Sequence, residues 1–382
     1  MAFISLGKID KNLIPILVGA IFSILNKLLI QYKDTKLFTY KIIPNIISVF
    51  SRTLTLIPYI ILKIRSKRNK SGEGENKSSN DIELIYTDIK QEEDTTGKGR
   101  YIILSSIFLF IQGIFLLYSI EIKSNSWIWD ISLTTLLYYL IFKVKLYNHH
   151  YISIISIIII GIIIDLSFGN LQNDLSNNLL LFFYRFLREI FYSLYDVVNK
   201  YLMEKKYCSV YELCFFIGLI NLILFGIFSI FNYYFLKIDD FEEYLNNLNL
   251  SEIFAATSLI FTQLGISLSC LITNNNNTPC HIFIISVLGQ FANYMDFSTN
   301  SIIIIICLIF ILFMSLFFTE IIEINICGLS KNTKKNIINR AKTENSSFEK
   351  NYSAYSINSL DENDDININD LQRGSSLEIK NN

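Results

Sequence analysis

The chain has 382 residues, of which 51% are hydrophobic, 14% aromatic and only 18% charged, and its mean hydropathy is +0.39. A water-soluble protein carries about a quarter charged residues, so the composition excludes an ordinary soluble domain. The net charge of −1 excludes a global basic field for nucleic acid. The charges crowd into residues 63–100 and 328–382, and between them lie apolar runs long enough to cross about 30 Å of hydrocarbon as helices.

In chain order the runs predict ten membrane helices, over 13–31, 42–62, 101–120, 127–143, 151–168, 179–203, 211–236, 252–273, 280–296 and 301–322. The first contains Asn26 and Lys27 and no small-residue cleavage site, so it reads as an uncleaved span. With the N-terminus in the cytosol, the inner segments carry Lys8 and Lys11, Lys63 to Lys70, Lys143 and Lys145, Lys205 and Lys206, and Lys331 to Lys342. The outer segments carry Lys33, Lys36, Lys41, Lys123 and Lys237, a roughly threefold bias that favours ten spans over nine and puts both termini in the cytosol. The segment 65–100 and the tail 328–382 are too polar to bury a core and read as disordered cytosolic material. The run Asn274–Asn277 reads as compositional bias.

The six cysteines form no CxxC pair, and three histidines are too few for a histidine-rich metal enzyme, so no metal or cofactor is expected. No GxGD, GxSxG or HExxH pattern is present, and no catalytic residue is assigned.

The sixth predicted span concentrates the polar chemistry. Arg185, Arg188, Glu189, Tyr192, Tyr195, Asp196, Asn199 and Lys200 recur at steps of three and four and fall within an arc of roughly 140°. Burying an ionisable group in a bilayer costs at least about 2.5–3.5 kcal/mol unless it faces protein or water, so this stripe is expected to face an aqueous crevice. The opposite face, with Phe186, Phe191, Val197, Val198 and Leu202, suits lipid. Glu189 is the i,i+4 partner of Arg185, and Lys200 is expected to snorkel to the cytosolic interface. Elsewhere Arg52, Gln112, Asp165, Glu212, Asn221, Gln263, Gln290, Tyr294 and Glu320 are sparse, and each alone reads first as a helix–helix hydrogen bond or an interfacial residue.

Two five-helix halves show a faint self-similarity: LNKLLIQYK (Leu25–Lys33) ends the first helix and VNKYLMEKK (Val198–Lys206) ends the sixth. Asn26–Lys27 aligns with Asn199–Lys200, on helices predicted to run in opposite directions. With this layout, and with Lys143–Lys145 preceding a helix that contains Gly161, the chain resembles the drug/metabolite transporter superfamily. Within it the likeness is to the nucleotide-sugar and triose-phosphate, EamA-like branch. The GALNK signature of GDP-mannose carriers is absent apart from Asn199–Lys200, and Phe231–Tyr234 does not match its FYNN companion.

The resemblance implies an all-α fold of two inverted repeats, 1–168 and 178–323, and secondary transport by alternating access. The substrate expected is a phosphorylated organic anion such as a nucleotide-sugar, held by Arg185, Arg188, Tyr192, Tyr195, Asn199, Lys200, Asn26, Lys27 and Arg52. Asp165, Glu189 and Asp196 would couple or gate. The resemblance alone points to Golgi, endoplasmic reticulum or another endomembrane. The lipid bilayer and a small-molecule substrate are the expected partners, with a homodimer left open. A proton-coupled metabolite exporter and a non-transporting membrane scaffold stand as alternatives.

Overall fold

The computed structural model describes residues 4–6, 13–31, 42–72, 97–119, 128–144, 146–168, 175–232, 234, 249–294 and 299–324. Helices dominate: α1 (Leu13–Ile30), α2 (Ile42–Thr53), α3 (Leu56–Gly72), α4 (Lys98–Ser119), α5 (Trp129–Phe142), α6 (Asn148–Phe168), α7 (Leu175–Lys205), α8 (Val210–Phe231), α9 (Leu250–Asn276), α10 (Ile282–Gln290) and α11 (Thr299–Phe318). A helical segment stands at each of the ten expected positions, with α2 and α3 sharing the second. Among the described residues, two short strands accompany the helices, β1 (Ile4–Leu6) and β2 (Ile322–Ile324), paired antiparallel with Ile4 opposite Ile324. That pairing brings the segment before α1 and the segment after α11 to one end of the bundle.

Local chemistry sets the boundaries. All four prolines lie in the first turn of a helical segment, where the missing N–H removes no helical bond: Pro15, Pro44, Pro58 and Pro279. Pro58 also leaves the Leu54 carbonyl without its i+4 donor. The chain therefore breaks between α2 and α3, and Leu54 and Thr55 close short turns onto Ser51 and Arg52. Ser209 caps α8 by accepting the Glu212 N–H, and Asn249 caps α9 by accepting that of Glu252.

Some boundaries differ from the sequence expectation. α3 runs to Gly72 and α4 starts at Lys98, so both ends of the segment read as loop are helical; residues 73–96 and the tail lie outside the described residues. Lysine and arginine are good helix formers, and hydropathy does not register that. The last helix stops at Phe318 rather than 322, because Glu320 turns left-handed (φ 61°).

Among the described residues, six helical stretches are long and apolar enough to cross a membrane: Leu13–Ile30, Ile42–Arg65, Lys98–Leu117, Val210–Phe231, Leu250–Asn276 and Ser301–Phe318. Their outward faces carry exposed Ile14, Leu17, Ile57, Ile223, Phe254 and Ile306. Exposed apolar surface on this scale is stable against lipid and not against water. The chain is a multi-pass membrane protein.

Packing gives the bundle two inner helices. α7 packs on α4 and α5, and α1 packs on α9 and α10. α2 meets α8 and α9, α8 meets α4, and α6 meets α11. Gly218 permits the close crossing of α8 over the α2–α3 break, where a Cβ would lie 2.8 Å from Arg52 Cβ and 3.0 Å from Thr53 N.

Candidate functional site

The charged stripe of α7 faces protein. Arg185, Glu189, Tyr195, Asp196, Asn199 and Lys200 are all buried, while Arg188 and Tyr192 are half-buried. The stripe is therefore covered by protein rather than open to an aqueous crevice. The opposite face is covered by protein along Val197, Val198 and Leu202, and Phe186 and Phe191 are half-buried. Val197 is 0% exposed and Leu202 is 0% exposed. Phe191 lies 5.8 Å from Phe115 and 6.0 Å from Phe108 on α4, and Phe186 lies 6.5 Å from Trp129 on α5. An apolar helix face reads alike whether lipid or another apolar helix covers it, which is why the sequence misassigned this one.

At the centre, Arg52 enters from the end of α2. Its Nε donates to Ser267 Oγ on α9 at 3.1 Å, and one terminal nitrogen donates to Tyr195 Oη on α7 at 3.1 Å. The guanidinium carbon lies 5.7 Å from the Tyr195 ring centroid. Tyr195 stacks in turn on Tyr192 with centroids 6.2 Å apart. Arg188 pairs with Glu189, the adjacent residue. Across the bundle, half-buried Lys27 on α1 lies within electrostatic reach of Arg188, and its ammonium makes no hydrogen bond or ion pair among the described residues. Two cations, one on α1 and one on α7, thus lie within electrostatic reach of each other.

The acidic side is equally concentrated. Asp196 is 3% exposed, and its carboxylate makes no hydrogen bond or ion pair among the described residues, although Arg52 lies within electrostatic reach. Asp130, near the start of α5, escaped the sequence reading because a carboxylate in a first helical turn passes for an interfacial cap. It is buried, and Oδ1 accepts from Thr134 Oγ1 and Ser193 Oγ at 3.0 Å each. The uncharged partners Ser267, Ser193 and Thr262 had no sequence signal either, since hydroxyls are common in membrane helices.

The two Asn–Lys pairs have different surroundings. Asn26 Oδ1 accepts from Thr262 Oγ1 on α9 at 3.2 Å, and Asn199 Oδ1 accepts from Ser105 Oγ on α4 at 2.6 Å. Lys200 does not snorkel. It is 3% exposed and donates to the carbonyls of Asn274 (2.8 Å), Asn275 (3.1 Å) and Asn277 (2.6 Å), with Glu204 Oε1 at 2.7 Å. These carbonyls close the C-terminus of α9, where a cation satisfies orphan acceptors and the negative end of the helix dipole. Asn274 Nδ2 donates back to the Asp196 carbonyl at 2.8 Å. The asparagine run is therefore a structural clasp rather than compositional noise. Asp165 lies on α6, and its side chain is outside the described residues.

A cavity of about 910 Å³ lies apart from this cluster, on the outer face between Leu28 and Leu29 of α1 and Leu250 to Thr257 of α9. Its lining is mostly apolar and carries no charged side chain, so the polar centre and not this groove is the candidate site. Away from the centre, Lys98 and Glu212 pair at 2.8 Å and tie the starts of α4 and α8. Burial, with Glu212 beside it, pushes the adjacent Cys208 thiol up to about 12.

No protein-family model matches the sequence, nor does any curated protein. The fold recurs among solved structures. One, described as "Crystal structure of protein", superposes with a TM-score of 0.52 at 11% identity, covering 80% of this chain and 96% of that chain. The likeness is one of fold.

Proposed function

We propose that the chain is a secondary transporter of the drug/metabolite type, built as two inverted five-helix repeats that enclose a site for a phosphorylated organic anion. Take α2 and α3 as one span and exchange each span with the one five positions on. The packing pairs then map onto one another: α1–α9 onto α7–α4, α1–α10 onto α7–α5, and α2–α9 onto α8–α4, with α2–α8 and α6–α11 each onto itself. Asn26 and Asn199 become equivalent, each accepting from a hydroxyl on the equivalent neighbour. The short apolar helix α5 corresponds to α10, itself short and flanked by tight turns at Pro279–His281 and Phe291–Tyr294. Short or interrupted segments at matching positions of two halves mark the substrate site in inverted-repeat transporters.

The observation that carries the anion reading is the ammonium of Lys27, which makes no hydrogen bond or ion pair among the described residues and lies within electrostatic reach of Arg188 on α7. Two cations at close quarters repel, and a phosphate between them relieves that repulsion while Arg supplies a fork of donors. The Tyr192–Tyr195 stack offers an aromatic face for a sugar or base. Movement across an endomembrane with both termini cytosolic follows from the family likeness and the lysine distribution.

The test is exchange in liposomes loaded with nucleotide-sugars, sugar phosphates or amines. Exchange of a phosphorylated anion that Lys27→Ala or Arg188→Ala abolishes supports the reading. A second reading, proton-coupled export of a small metabolite, draws on the unpartnered carboxylate of Asp196 beside Asp130. Amine uptake driven by a pH gradient and lost in Asp196→Asn would favour it instead.

A further inference from the structure

The three histidines of the chain are His149, His150 and His281, and two of them stand with Glu320 at one end of the bundle. His149 and His150 open α6, and Glu320 follows α11 directly. The three residues each offer a ligand atom, all within 4.8 Å of one another. His149 is 1% exposed, and neither ring nitrogen has a hydrogen-bond partner. Its Nε2 lies 3.2 Å from Glu320 Oε1 without hydrogen-bond geometry. That separation matches the distance between two ligand atoms on one tetrahedral zinc, about 3.3 Å for bonds near 2.0–2.1 Å.

The backbone at Glu320 points the same way. Ile321 N–H reaches the Leu316 carbonyl at 3.0 Å and Glu320 N–H the Phe317 carbonyl at 3.2 Å, the Schellman ending in which the left-handed residue is ordinarily glycine. Glu320 holds φ 61° there, at a cost of about 1–2 kcal/mol for a residue with a Cβ. A carboxylate also meets the negative end of the α11 dipole at this place. Both penalties fall on one side chain, which is 22% exposed and turned toward a buried imidazole. A cation between them would offset both.

We infer that His149, His150 and Glu320 form a binding site for a divalent transition metal, with zinc as the reference ion. Two imidazoles and one carboxylate form a ligand set that leaves a fourth position for water. Drawing the most distant pair to zinc spacing asks for movement of at most about 1.5 Å. His150 Nδ1 now accepts the Tyr147 N–H at 3.0 Å, a bond that caps α6. Coordination through that atom exchanges the cap for the metal. The site does not depend on the transport reading, because it lies at the bundle end and shares no residue with the polar centre.

The full chain, purified in detergent and stripped with chelator, is titrated with Co²⁺ and then displaced with Zn²⁺. The expected result is one Co²⁺ per chain with the intense visible bands of a four-coordinate ion, and a Zn²⁺-dependent rise in Tm. Glu320→Gly removes a ligand while giving the left-handed position its preferred residue. It should weaken binding at least about a hundredfold and leave the metal-free Tm unchanged or raised. His149→Gln should weaken binding similarly. A folded wild-type protein that takes up neither ion at roughly tenfold excess, or uptake unaltered in both variants, overturns the site.

Discussion

The same dipeptide, Asn–Lys, ends two helices of this protein, and its two copies lead different lives. In α7, Asn199 and Lys200 are buried, and the lysine engages three backbone carbonyls and Glu204. In α1, Asn26 makes the equivalent hydroxyl contact, but the Lys27 ammonium makes no hydrogen bond or ion pair among the described residues and lies within electrostatic reach of Arg188. Two repeats of identical chemistry packed symmetrically would enclose the same space on both sides of the membrane. The asymmetry sets a lysine held by carbonyls against one whose ammonium has no hydrogen bond or ion pair among the described residues. In an alternating-access reading, that is one of two related states.

The largest effect should come from the clasp. Lys200→Ala leaves the carbonyls at the end of α9 without a donor, and each buried unsatisfied group costs about 1–3 kcal/mol. Thermal unfolding should therefore fall by roughly 5–10 °C for a chain of this size. Lys27→Ala should leave Tm within about 2 °C, because it removes a charge that only repels its neighbour. Equal losses in the two variants would break the comparison.

Next in size is Gly218→Val. The added side chain has no room beside Arg52 and Thr53, and overpacking costs about 1–3 kcal/mol. Displacing Arg52 breaks its bonds to Tyr195 and Ser267, so exchange activity should fall further than stability does. Smaller still, Asn199→Leu strands the Ser105 hydroxyl, whereas Asn26→Leu leaves Thr262 its bonds to the Ser258 and Leu259 carbonyls. The first should cost about 1–2 kcal/mol and the second less. Equal losses would break that contrast, and Ser105→Ala should recover part of the loss at Asn199. The smallest effect is chemical: with its thiol raised to about 12, Cys208 should react with iodoacetamide at pH 8 on the order of a thousandfold more slowly than an ordinary cysteine.

Helix positions were legible because hydropathy and the short polar breaks carry them directly. Arg185 to Lys200 were legible because charges within an apolar span need a reason. What covers each face was not legible. Val197 and Leu202 look the same against lipid and against α4, and the structure gives them to protein. Asp130, Ser267 and Thr262 were invisible because their partners come from distant helices, and a lone carboxylate or hydroxyl carries no pattern. The helical ends at Arg65–Gly72 and Lys98 were missed because a charged helix lacks the apolar signature. Glu320 was read as interfacial, and its role depends on histidines 170 positions away in sequence meeting it at the bundle end.

The most direct measurement uses single cysteines at the equivalent positions Lys33→Cys and Lys206→Cys, in an otherwise cysteine-free chain, in sealed vesicles of one orientation. A membrane-impermeant maleimide should label one position from outside and the other only after permeabilisation. Labelling of both from the same side would contradict the inverted repeat and, with it, a site shared between two halves.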